Sequence, residues 1–132
     1  MPPPALFPLS YALHIAEEAW GGESFPVWAS LLSGVSFSRE EFVVLNGVAF
    51  AVMCVAVAVP SHWPRTQRVV MPALGTIVAG NGALHVIASL WTLTYSPGVI
   101  SGVIVWLPLG MWTLRWAAQT LPARQILVGC AV

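Results

Sequence analysis

The chain predicts an all-α, polytopic membrane bundle: about four spanning helices and a short interfacial helix, forming one integral-membrane unit over residues 1–132. Three observations carry this. Hydrophobic residues make up 58% of the chain and charged residues only 8%, where a soluble domain carries about a quarter charged residues. Lysine and aspartate are absent altogether, so a soluble surface cannot be covered. The apolar residues also fall into long runs separated by short turns, as spanning helices require. Five arginines balance five glutamates, which leaves no basic footprint for nucleic acid.

The elements follow in order. Met1-Pro2-Pro3-Pro4 lacks the positive stretch and cleavage site of a secretory signal and reads as a short flexible lead-in. The first span, about 5–20, is short and interrupted by Pro8, which suits a tilted or partly re-entrant segment. Residues 21–37 contain PVWASLLSGVSF, apolar but turn-rich, and suit a helix lying on the bilayer surface. The second span, 42–59, is closed by Pro60 and opened by the capping-box pattern Ser38-Arg39-Glu40-Glu41. The third, 69–93, carries Pro72 near its start, where it costs little. It also carries Gly75, Ala79, Gly80, Gly82 and Ala83, small residues that let helices approach closely. The fourth, 99–116, follows the turn Tyr95-Ser96-Pro97-Gly98.

Arginine sets the orientation. Arg65, Arg68, Arg115 and Arg124 fall on one side and Arg39 alone on the other, so the positive-inside rule places both termini in the cytoplasm of an inner-membrane protein. Trp20, Trp28, Trp63, Trp91 and Trp116 lie near span ends as an aromatic belt. Trp106 and Trp112 are too deep for it. Cys54 and Cys130 belong to no metal or redox spacing.

Against this background His14-Ile15-Ala16-Glu17-Glu18 stands out, because ionisable residues inside a membrane usually mark a pathway or a reaction site. Spacings of three and four residues put His14, Glu17 and Glu18 on one helix face. Asn81 and His85 are likewise one turn apart. At about 1.5 Å of rise per residue, His14 falls ~14 Å from the cytoplasmic edge, Glu17 and Asn81 ~18 Å, and His85 ~24 Å. Asn46, entering from the other side, also lands at ~24 Å. Six polar side chains from three helices thus overlap in depth, with Trp106 at a similar level. Tyr95 stands where its hydroxyl reaches the mouth of such a pocket.

His14-x-x-Glu17-Glu18, the later Asn81-x-x-x-His85 and Tyr95-x-Pro97-Gly98 together resemble the HXXEE family of small bacterial polytopic membrane proteins. The resemblance covers most of the chain. It implies a membrane enzyme without a common established activity, so it bears more on the choice of residues than on the reaction.

Three functions fit the cluster. The first is general acid–base catalysis on a lipophilic, terpenoid- or polyketide-like substrate: isomerisation, cyclisation or epoxide opening, with no cofactor. Here His14, Glu17, Glu18 and His85 are catalytic, while Asn46, Asn81, Tyr95 and Trp106 bind substrate. The second is a metal-dependent hydrolase or oxygenase, with His14, His85 and Glu17 or Glu18 holding zinc or iron. The third is a subunit of a proton- or cation-coupled transporter, which at this size requires a homo-oligomer. The expected partners are the bilayer and a lipophilic small molecule. The first reading leads, because paired carboxylates already supply an acid and a base.

Overall fold

The computed structural model describes residues 1–131, with residue 61 described by its backbone, so residue 132 of the expected unit lies outside the described residues. The fold is all-α. Helix α1 is Leu6–Trp20, α2 is Phe25–Ser33, α3 is Arg39–His62 and α4 is Gln67–Thr92. Helix α5, Val99–Thr120, starts as α-helix, widens to a π-helical segment at Gly102–Trp106 and resumes from Leu107. A last short helix, α6, is Ala123–Cys130.

Among the described residues, three helices are long and apolar enough to cross a membrane: Arg39–Pro60 of α3, Pro64–Thr92, which includes α4, and α5. Helix α1 is not among them. Its 15 residues rise roughly 22 Å, less than the hydrocarbon thickness of a bilayer. Val43, Val44, Leu45, Val48, Val52 and Val55 of α3 are all exposed, a run that water would penalise and lipid accepts. These features are those of a membrane protein.

The prolines behave differently from a simple reading of their positions. Pro8 does not break the first segment: it is the third residue of α1, where the backbone N–H has no partner within the helix. Pro60 does not end the second, and α3 continues through it to His62 in its last turn. At the other end, the expected capping box is formed. The Glu41 N–H donates to Ser38 Oγ at 3.1 Å and the Ser38 N–H donates to Glu41 Oε2 at 2.7 Å. The proline lead-in is also anchored, since Pro2 is fully buried and the Leu6 N–H donates to the Pro3 carbonyl at 3.0 Å.

The core joins Phe7 and Tyr11 of α1, Met53 of α3, Met71, Leu74 and Val78 of α4, and Trp106 and Leu109 of α5. Within it α4 and α5 are packed backbone to backbone. A β-carbon at Gly82 would stand 2.9 Å from the Gly102 carbonyl oxygen. One at Gly110 would stand 2.6 Å from Ala79 Cβ and 2.7 Å from the Gly75 carbonyl oxygen. Gly80 has no such neighbour and faces outward. The small residues of α4 therefore serve the seam on one face only.

Candidate functional site

His14 and Glu18 lie one turn apart on α1, and α4 brings His85 against them. All three are buried, at 2%, 6% and 6% exposure. Glu18 Oε1 is 3.5 Å from His14 Nε2 and 3.3 Å from His85 Nε2. The two imidazoles meet edge to face with centroids 4.9 Å apart. One donor atom from each residue fits within a 4.8 Å group, close enough for all three to hold a single metal ion.

The outer nitrogen of each ring is held by a serine. His14 Nδ1 is 2.8 Å from Ser101 Oγ, and that hydroxyl donates to the Gly98 carbonyl at 3.3 Å. Ser101 thus fixes the outer nitrogen of His14, and Nε2 faces into the pocket toward Glu18. That Nε2 is buried and has no hydrogen-bond partner among the described residues. His85 Nδ1 is 3.0 Å from Ser96 Oγ, and the Ser96 N–H in turn donates to Ser89 Oγ at 3.0 Å. Outer contacts of this kind orient the imidazoles of metal sites.

Two further residues shape the pocket. Gly98 has φ +98, and a β-carbon there would come within 2.8 Å of His14 Cε1 and 2.9 Å of His85 Cε1. Only glycine supplies both the conformation and the clearance. Trp106, at the end of the π-helical segment, stacks on His14 with centroids 3.7 Å apart and a 22° tilt. The wider π turn sets the angle at which the indole meets the imidazole, and π turns are often found at functional sites.

Glu17 and Glu18 are neighbours in sequence but not in the pocket. Glu17 Oε1 accepts from the Tyr95 hydroxyl at 2.6 Å and the Ile100 N–H at 2.9 Å, and Oε2 accepts from the Ser101 N–H at 2.6 Å. It thus satisfies free donors in the first turn of α5, where a carboxylate also suits the helix dipole. Burial and the Glu17 carboxylate push the Tyr95 phenol up to about 12, so it remains a donor at neutral pH. Gly21 keeps this contact open, because a β-carbon there would stand 2.8 Å from the Tyr95 hydroxyl.

Neither asparagine oxygen is hydrogen-bonded to the triad. Asn46 Oδ1 accepts from the Tyr11 hydroxyl at 2.8 Å, and its Nδ2 donates to the Phe42 carbonyl at 3.0 Å. Tyr11 stacks on Trp106 at 5.8 Å, so Asn46 reaches the site only through two rings. Asn81 Oδ1 is buried with no hydrogen-bond partner among the described residues. Gly98 belongs to the Tyr95-x-Pro97-Gly98 pattern, whereas Ser96, Ser101 and Tyr11 have no signature in the sequence that marks them as parts of the site. For the two serines the nearest signal is the turn 95–98 just before a helix start.

No curated protein and no solved structure matches the chain. A family model described as a protein of unknown function with HXXEE motif matches residues 5–113. The matched segment contains His14, Glu17 and Glu18 in the order that gives the motif its name, together with His85, and the chain belongs to the HXXEE family.

Proposed function

We propose that this chain is a metal-dependent membrane enzyme acting on a lipophilic substrate, with His14, Glu18 and His85 as the metal ligands. One observation carries the reading. One nitrogen of each imidazole and one carboxylate oxygen converge within 4.8 Å, with both Nε2 atoms facing Glu18 Oε1, while both outer ring nitrogens are fixed by serine hydroxyls. Two histidines and one carboxylate suit zinc or iron(II) and leave coordination positions open for water or substrate. Helix α1 is read as a fourth membrane segment held against α3, α4 and α5, and the arginine distribution supports a topology with both termini on the cytoplasmic side of an inner membrane.

The residues divide the work. Glu18 supplies the negative charge and the two histidines the neutral donors. Ser96 and Ser101 fix the ring orientations, and Glu17 fixes Ser101. Trp106 closes one face of the His14 ring and keeps water from it. When bound, a divalent ion would supply Lewis acidity and a more acidic water.

Metal analysis of detergent-purified protein tests this, with wild type beside the His14→Ala/His85→Ala double variant. About one zinc or iron per chain is expected in wild type, and loss of it in a monodisperse variant. No metal in wild type, even after incubation with either ion, overturns the reading.

A second reading rests on the same Glu18 oxygen standing 3.3 Å and 3.5 Å from two imidazoles, a geometry that also shares a proton among them. Metal-free acid–base catalysis of isomerisation, cyclisation or epoxide opening would use it, with the indole of Trp106 stacked on His14 and able to face a developing positive charge on the substrate. Turnover that survives chelation in metal-free protein would select this reading.

A further inference from the structure

A cleft of about 450 Å³ runs between α1 and α3, and Pro26 of α2 also lines it. It exists because the facing residues are small: Ala12, Ala16 and Ala19 on α1 and Gly47 on α3 leave the space unfilled. Arg39, the first residue of α3, is the one charged side chain that lines it among the described residues, and no described carboxylate lies within salt-bridge distance of that guanidinium. The far end is Phe50, eleven residues and roughly 16 Å of rise further along α3.

We propose that this cleft is the substrate site and takes a single-chain amphiphile with an anionic head, the chain lying between α1 and α3 and the head paired with Arg39. The inference rests on the enzyme reading above and gives it a substrate class. Volume selects one chain: the cleft has about three times the ~150 Å³ that admits a benzene molecule, space on the order of 18 carbon atoms. The two chains of a phospholipid do not fit inside it together. Charge selects the head, since an unpaired guanidinium at the end of an apolar groove is complementary to a carboxylate or phosphate. Position relates the chain to the triad. Phe42 lines the cleft three residues from Arg39, roughly 4.5 Å of rise. Its ring is 6.0 Å from that of Phe25, which is itself 6.1 Å from the His85 ring. The part of the substrate nearest the triad is therefore close to the head.

The test is binding of cis-parinaric acid, a fluorescent fatty acid, and of the corresponding alcohol to the full chain in neutral-detergent micelles. The acid is expected to bind one per chain and more tightly than the alcohol. Arg39→Gln should weaken the acid about tenfold and leave the alcohol unchanged. Gly47→Phe should abolish binding of both by filling the cleft; a β-carbon at Gly47 meets no neighbour within 4 Å, so the helix tolerates it. Neither variant should change metal content, and the His14→Ala/His85→Ala variant should still bind the acid. Equal binding of acid and alcohol with no effect of Arg39→Gln overturns the proposal, as does full binding by Gly47→Phe. Displacement of the probe by phosphatidylglycerol as effectively as by palmitate also overturns it, because the cleft is then a seat for bilayer lipid. Loss of metal with probe binding kept would remove the metal reading alone.

Discussion

The two interfaces that meet near the histidines are built in opposite ways. Between α4 and α5, glycines bring the backbones into contact, with Gly82 against Gly102 and Gly110 against Gly75 and Ala79. Between α1 and α3, small residues are not closed upon, and they leave a cleft of about 450 Å³. Small side chains thus serve two ends in one molecule. Where helices can collapse on them they give a rigid seam, and where they cannot they give room. The triad draws on both: His85 stands on a helix of the seam, whereas His14 and Glu18 stand on the helix that also lines the cleft.

The largest expected effect breaks the seam. Gly110→Ala places a β-carbon 2.6 Å from Ala79 Cβ and 2.9 Å from the Ala79 backbone nitrogen, so α4 and α5 must move apart. Overpacking of this kind costs roughly 2–3 kcal/mol. The same exchange at Gly80, with open space around it, should change stability by no more than about 1 kcal/mol, and in the favourable direction. Thermal unfolding of both variants in one detergent checks the pair. Equal melting temperatures would show that the seam yields as easily as the lipid-facing side.

A smaller effect is expected where the seam meets the triad. Glu17 ties α1 to the first turn of α5 through Ile100 and Ser101, and Ser101 holds His14. Glu17→Gln should therefore weaken metal binding about 10–100-fold while keeping one site per chain, the range seen when outer partners of a ligand are removed. Ser101→Ala should act in the same direction. Competition against a chelator of known affinity measures both. If Glu17→Gln instead abolished the site as completely as Glu18→Gln, Glu17 would be a ligand and not a positioning residue.

Much of this architecture is legible in the sequence. Charge scarcity and apolar runs point to an all-α membrane protein, and three of the expected spans correspond to helices long and apolar enough to cross. Helical rise alone puts His14, Glu18 and His85 at overlapping depths. What rise does not contain is azimuth across helices. Glu17 and Glu18 differ by about 100° around α1, so one enters the pocket and the other turns to α5. Asn46 shares the depth of the triad but is taken up by Tyr11. The serines are illegible for another reason: a hydroxyl that supports a histidine carries no spacing of its own, and its place depends on how α5 starts. The π-helical turn that sets Trp106 over His14 has no local sequence signal either.

The smallest expected effect concerns the clasp at the mouth of the pocket. The Tyr95 phenol lies outside the spans and is raised from the usual value of 10.0 to about 12 by burial and by its bond to Glu17. A phenol that binds its proton more tightly in the folded state stabilises that state fully below the unfolded value. The contribution is lost as pH rises from about 10 through about 12. Tyr95→Phe should therefore melt below wild type at neutral pH, with the gap narrowing above pH ~10. The effect is small because Tyr95 is 39% exposed, where water screens the interaction. A gap constant across that window would place the value of Tyr95 in its ring packing and leave Glu17 held by the backbone of α5 alone.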